Sequence, residues 1–345
     1  MSQFIQLHLL TAYPPSNLNR DDLGRPKTAR MGGVERLRIS SQSLKRHWRT
    51  SDLFQEALAG HIGTRTKRLG TEVFNKLTAG GIKEKSAKEW ATAIAGQFGK
   101  SKKDSLEIEQ LAHITPEEMQ TVEKLVDQLI SENRAPTEEE VKLLRKESSA
   151  VDISLFGRML ASSPDFNVEA ACQVAHAISV HGVAVEDDYF TAVDDLNKGD
   201  EDRGASHIGE AAFASALFYQ YICIDKSQLI DNLNGNTELA DQALASLVEA
   251  AVKVSPTGKQ NSFASRAYAS YVLAEKGSQQ PRSLSVAFLK PIYGENQAED
   301  AIAALEKQKQ NFDQVYGACS DASYALNAQT AEGSFAELKN FVTSQ

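Results

Sequence analysis

The residues best equipped for chemistry lie between 36 and 49, R-L-R-I-S-S-Q-S-L-K-R-H-W-R, which hold five Lys or Arg and no acid. The chemistry such a run supports is capture of phosphate oxygens by cationic donors. Leu37 and Ile39 alternate with Arg36 and Arg38, as in a short extended segment. Ser40 or Ser41 then caps a helix that carries Leu44 and Trp48 on one side. Gln42, Lys45 and Arg49, spaced i, i+3 and i+7, fall on the other side. A helix start of this kind presents backbone N–H groups and the positive dipole end to an anion. The alternative is a basic face that only meets water.

Charge placement favours a polyanion. The first 50 residues carry nine Lys+Arg and three Asp+Glu, a balance of +6. The chain as a whole is at -9, which leaves -15 for the rest. An acidic protein that gathers positive charge at one end commonly gathers it for such a partner. A length of 345 residues fits one large domain or two, and 41% hydrophobic with 24% charged residues fits an ordinary globular chain. No apolar run reaches the roughly 18 residues of a membrane span, and M-S-Q-F-I-Q-L-H-L-L lacks the basic n-region of a signal peptide. Cys172, Cys223 and Cys319 are far apart, so reduced thiols and a cytoplasmic location are expected, with no membrane partner.

Other motifs carry less. Gly99-Lys100-Ser101 has the end of a phosphate loop, but Ile94 stands where its first Gly belongs. Asp187-Asp188, Asp194-Asp195 and Asp200-Glu201-Asp202 could hold a metal, yet no His or Glu sits at ligand spacing. Asp21-Asp22, beside Arg20, could assist phosphoryl chemistry or simply orient basic neighbours. His176 and His181 are five apart and share no helix face. No zinc spacing, catalytic set or cofactor motif is found, so no enzyme activity, metal or cofactor is expected.

The elements that position these residues follow from pattern. Residues 3–12 read as a strand, and 13–35, punctuated by Pro14, Pro15, Gly24, Pro26, Gly32 and Gly33, as a long loop contributing Arg20, Arg25, Lys27 and Arg30. Residues 50–147 read as a helical insertion, more exposed than the core, basic over 65–103 and acidic over 117–147. Residues from 151 suggest a strand running into a loop, 168–181 a helix, and 213–224 a strand covered on both faces. Residues 194–207 suit the tip of a long hairpin. Residues 237–254 and 297–315 read as helices, 255–262 as a loop with an exposed Lys, and 267–290 as extended. The order of elements implies an α+β sheet domain with large excursions.

Taken together, S-N-L-N-R-D-D at 16–22 and R-I-S-S-Q-S-L-K-R at 38–46 closely resemble the CasC family, the backbone subunit of the type I-E CRISPR Cascade within the RAMP superfamily. Further matches are G-R-M at 157–159, A-H-A-I at 175–178, Y-F-T-A-V-D-D-L at 189–196, S-H-I-G…F-Y-Q-Y at 206–221 and G-K-Q…F-A at 258–264. The resemblance implies a palm built on a modified RNA-recognition-motif (ferredoxin-like) sheet from residues 1–50 and 150–345, a helical fingers insertion at 51–149, and a β-hairpin thumb at about 194–210. It implies an antiviral, non-catalytic subunit that polymerises head to tail along CRISPR RNA. Its partners would be that guide, target DNA through the guide, further copies of itself and other Cascade subunits. The family's RNA contacts carry onto Arg20, Lys27, Ser40, Gln42, Lys45, Arg46 and Arg49, and onto the loop at Lys259 and Gln260. In the shortened segment after Met159, Phe166 is the candidate to wedge beside a displaced nucleotide.

Two other readings stay open. A RAMP-type endoribonuclease would use Asp21 or Asp22. A metabolic enzyme would bind a small phosphorylated substrate on the basic loop.

Overall fold

A computed structural model describes residues 3–192 and 207–344. The chain begins β1 (Phe4–Ser16), β2 (Thr28–Met31), β3 (Val34–Ile39), α1 (Ser41–Arg49), α2 (Asp52–Ala57), β4 (Thr64–Thr66), α3 (Leu69–Ala79) and α4 (Glu84–Ala95). It continues with β5 (Ala112–Ile114), α5 (Pro116–Glu132), α6 (Val151–Phe156), β6 (Cys172–Val174), β7 (Ala177–Ser179), β8 (Glu186–Ala192) and β9 (His207–Asp225). Next come α7 (Lys226–Asn232), α8 (Thr237–Lys253), α9 (Gln260–Phe263), β10 (Tyr271–Gly277), α10 (Gln297–Tyr316), β11 (Ala322–Asn327) and α11 (Phe335–Thr343). Among the described residues no helix is long and apolar enough to cross a membrane.

Two compact units emerge. One holds Gln55–Gln173 and Ile224–Ser246; the other holds Gln3–Phe54, Val174–Cys223 and the residues from 247 onward.

The second unit is built on a sheet of order β11-β10-β1-β9-β7-β3-β2. Its registered pairs run antiparallel, with Phe4 opposite Gly277 and Ile178 opposite both Arg38 and Tyr219. Leu10, Leu217, Tyr271 and Leu273 pack with Leu284, Phe288, Ala301 and Leu305 to form a core. A buried polar cluster crosses this sheet. Glu275 accepts from Arg282 Nη1 (2.6 Å), Arg282 Nη2 (3.0 Å) and Ser320 Oγ (2.9 Å), and meets His8 Nε2 at 3.2 Å. Facing a carboxylate, Nε2 carries the proton, so His8 Nδ1 accepts from the Tyr219 hydroxyl at 2.9 Å.

The first unit is mainly helical. Leu77, Ala87, Trp90, Ile94, Val126 and Leu129 form a core of its own, beside the β4–β5 ribbon. Its helices bury one face against each other. A buried ion pair sits here. Arg158 Nη1 donates to both oxygens of Glu118, at 2.8 and 3.0 Å. Glu118 also completes the capping box of α5 with Thr115.

Several expectations are corrected. The loop expected at 13–35 is only 17–27, because β1 runs on through Pro14 and Pro15 and because Gly32-Gly33, at φ 62° and 84°, turns a β2–β3 hairpin. The strand expected from 151 is α6: Val151, Asp152, Ile153, Ser154 and Leu155 alternate as a strand would, but all five are buried in the helix, where Asp152 accepts from the Gly63 N–H and Ser154 donates to Ala150 O. The helix expected at 168–181 is replaced by β6 and β7. Its Ala-rich sequence favours helix, but β7 fills the space between β3 and β9, and tertiary pairing overrides propensity. Within 267–290 only β10 is a strand, followed by a 3-10 turn at Ser285–Phe288.

Candidate nucleic-acid interface

The loop 17–27 folds back on itself. Arg20 bridges Pro26, the Asp21 N–H donates to Arg25 O at 2.8 Å, and the Lys27 N–H donates to Asn19 O at 2.8 Å. Asp21 Oδ1 accepts the N–H groups of Leu23 and Arg25, both at 2.9 Å. This carboxylate is thus used to shape the turn, as short acids often are. Arg20 is left exposed at one end of the loop, and Lys27 is half-buried at the other. Arg25 pairs with Asp187 of β8 at 2.7 Å. Asn17 Nδ2 anchors the loop start by donating to Gly24 O and Ala212 O, each at 2.9 Å.

Helix α1 is set against that loop by its cap. Ser40 N–H donates to Asn19 Oδ1 (2.9 Å), and Ser40 Oγ accepts from Ser43 N–H (3.3 Å). Leu44 and Trp48 are buried, which turns Gln42 and Arg46 outward and leaves Lys45 and Arg49 half-buried. Three of the expected basic ligands, Lys45, Arg46 and Arg49, therefore share one short helix. Arg36 has a different fate. It is fully buried and donates to the carbonyls of Met31 (3.2 Å), Ser179 (3.0 Å) and Phe288 (2.8 Å), so it belongs to the sheet's packing.

The third segment is 257–260. A Cβ on Gly258 would overlap the carbonyl oxygen of Leu18 and stand 2.6 Å from that of Asn17, so only glycine allows this approach. Lys259 then takes the left-handed conformation, φ 50°, exposed at the start of α9. His47 joins the helix to this segment: its Nδ1 lies 2.6 Å from Ser43 O and its Nε2 3.0 Å from Thr257 Oγ1. Burial lowers the His47 pKa, the Ser43 carbonyl opposes that, and Arg46 adds to it.

Two adjoining cavities open here. One, of about 590 Å³, is lined by Arg20, Asp21, Asp22, Ser43, His47, Thr257 and Gly258 among others. The other, of about 300 Å³, includes Arg20, Arg25, Asp187, Glu210 and Lys259. Of the sequence candidates, Arg20, Lys27, Ser40, Gln42, Lys45, Arg46, Arg49, Lys259 and Gln260 all fall in the sheet unit. Phe166 falls in the helical unit, half-buried, with its carbonyl held by Arg158 Nε at 3.2 Å and Nη2 at 3.1 Å. The arms of the expected thumb are β8 and β9, paired from Glu186 opposite Phe213 to Ala192 opposite His207. The thumb itself, at 194–210, lies outside the described residues up to 206.

The model of the CT1975-like protein family matches residues 5–343. The chain belongs to this CasC-type family. A subunit of a "CRISPR RNA-guided surveillance complex, pre-nicking" is 28% identical, with a TM-score of 0.86 and 99% of both chains covered. A subunit of a second "CRISPR RNA-guided surveillance complex" is 23% identical and shares the fold, with a TM-score of 0.74 over 99% of this chain and 100% of that one. No curated protein matches.

In this CT1975-like chain the sequence reading missed Asn19, His47, Thr257 and Gly258, which join the three segments. Asn19, His47 and Gly258 sat inside motifs that were read, and Thr257 in the loop read at 255–262, but nothing local signals the pairing of His47 with Thr257, because they meet only through the fold. It also passed over the exposed apolar side chains beside the expected wedge and thumb. Met159, next to Arg158, is 77% exposed, and Tyr189 on β8 is 62% exposed.

Proposed function

We propose that this chain is the non-catalytic, guide-binding backbone subunit of a type I-E Cascade. The observation that carries this reading is the joining of loop 17–27, helix α1 and segment 257–260, which between them carry Arg20, Lys27, Lys45, Arg46, Arg49 and Lys259. Cations on a fixed frame hold a sugar-phosphate backbone without reading its sequence, and pairing by the guide then supplies specificity. Likeness to a surveillance-complex subunit along nearly the whole chain supports the same reading. The sheet unit serves as an RNA-recognition-motif-like palm, the helices of 51–149 as fingers, and the β8–β9 arms as the base of a thumb. Copies stack head to tail on the guide, other Cascade subunits join them, and target DNA is met through the exposed bases. Exposed Met159 and Tyr189 are suited to lie against bases.

The test is to express the protein and characterise the nucleic acid that it retains. RNA of defined length, with nuclease footprints at a regular interval, is the expected result. Naked protein with no preference for RNA would sink the proposal. The protein with bound guide should leave complementary RNA uncut in Mg²⁺. Cleavage lost on Asp22→Ala or Asp21→Ala would establish the endoribonuclease reading instead.

A further inference from the structure

His47 and Thr257 form a pair that neither a basic-patch reading nor a phosphate-contact list explains. They belong to separate segments and meet at 3.0 Å on the wall of the cavity that also carries Arg20. The 2.6 Å approach of Nδ1 to the Ser43 carbonyl fixes the tautomer, because an unprotonated Nδ1 there would set two lone pairs against each other. Nδ1 therefore carries the proton of the neutral ring, and Nε2 accepts. The Thr257 hydroxyl donates its only hydrogen to Nε2 and leaves lone pairs toward the cavity. A second proton on Nε2 reverses this bond. The ring then donates to Thr257 Oγ1, and the hydroxyl hydrogen is freed to point into the cavity.

We propose that His47 and Thr257 are a proton-linked phosphate-binding element: binding of a backbone phosphate in this cavity takes up one proton on His47 and turns the Thr257 hydroxyl into a donor to that phosphate. The inference rests on the proposed guide binding and adds to it a chemistry that fixed cations lack. Lys and Arg in the site stay charged throughout the relevant pH range, so they give a salt dependence but no pH dependence. The neutral ring in the free chain is consistent with its partial burial and with the neighbouring Arg46. The groups facing it are Ser43 and Arg46 on its own helix, Arg20, Asp21 and Asp22 on loop 17–27, and Thr257 and Gly258 opposite. An incoming phosphate adds negative charge to that set and favours the imidazolium.

The experiment is fluorescence anisotropy of a long oligouridylate from pH 5 to 8 at fixed salt, a range in which the phosphodiester keeps its charge and uridine keeps its N3 proton. Wild-type affinity should be flat at high pH. It should rise as pH falls through the bound-state pKa of His47, by at most about tenfold per pH unit for one coupled proton, and level off below the free-state pKa. Calorimetry in two buffers of different ionisation heat should show net proton uptake. His47→Gln should bind with a flat pH profile, and Thr257→Val, read relative to its own affinity at pH 8, should lose much of the acid-side gain. His176→Gln is the control, because His176 lies beside Arg38 at 2.9 Å and near Lys27 and is the other histidine next to candidate RNA ligands. It should retain the wild-type slope. A wild-type profile without slope, or a slope that survives in His47→Gln, overturns the inference while guide binding stands. Failure to bind RNA at every pH overturns both readings.

Discussion

Gly258 packs its α-carbon directly against the carbonyl oxygen of Leu18, and no side chain fits between them. This contact brings the Lys259 segment to the Arg20 loop across some 240 residues of sequence. Gly258→Ala must push the two apart. Guide affinity should fall by on the order of tenfold, or about 1.4 kcal/mol, while circular dichroism stays unchanged. An unaltered affinity would mean that the two segments act independently.

Lys45 and Arg49 lie on the same face of α1. If each neutralises one phosphate, the double variant Lys45→Ala/Arg49→Ala weakens binding equally for all guide sequences. Its log–log salt slope should drop by about 1.4, since each contact to a single strand contributes about 0.7. Titrations at several salt concentrations measure this, and a slope equal to wild type removes these residues from the interface.

The Arg158–Glu118 pair is buried on both sides, with side-chain exposures of 2% and 0%. Arg158→Ala leaves the Glu118 carboxylate uncompensated and frees the Phe166 carbonyl. The loss should be about 3–5 kcal/mol in denaturant unfolding. Arg158→Met combined with Glu118→Gln should recover a good part of it. If Arg158→Ala is tolerated, the pair is not what holds this loop.

Acid should unfold the sheet unit in two overlapping stages with one sign. Burial lowers the His8 pKa despite the neighbouring Glu275, so below 6.5 the unfolded chain takes a proton that the folded chain resists. Stability is then complete above 6.5 and lost as pH falls. Burial opposes the Glu275 charge, but hydrogen bonds from His8 and Arg282 outweigh it and hold this carboxyl at about 2, against 4.5 unperturbed. Its contribution is present above 4.5 and lost toward 2. Melting temperatures from pH 8 to 3 should fall monotonically on the acid side, and His8→Gln should flatten the decline between pH 7 and 5. A maximum near pH 5 would contradict the assignment.

What could be read from sequence was whatever depends on neighbours in the chain. Leu44 and Trp48 inward and Lys45 and Arg49 together follow from helical period alone; the sequence narrows the cap to Ser40 or Ser41, and in α1 it is Ser40. The same period failed over 168–181, because β7 is a strand only by virtue of Arg38 and Tyr219 on either side. Arg36 reads as one more cation of the basic run. Only the fold supplies the three carbonyls, from Met31, Ser179 and Phe288, that turn it into a packing residue. The link from His47 to Thr257 was likewise out of reach, since 210 residues separate the two.

The place of β1 in the sheet has a consequence for the protein's making. In the sheet β1 lies between β9 and β10, so about 200 residues are synthesised after its start before β9 follows, and some 270 before β10, which pairs Gly277 with Phe4. At translation rates of about 5–20 residues per second, that wait lasts roughly ten seconds to a minute. The helices whose core is drawn from residues 69–143 can pack meanwhile, because their contacts are local. The apolar residues Ile5, Leu7, Leu9 and Leu10 have no such recourse. Until β9 is made they stand as an unpaired strand, and a nascent chain in that state is a natural client for chaperones. Slowing the ribosome between the codons for β1 and β9 should therefore cost more soluble protein than slowing it beyond those for β10.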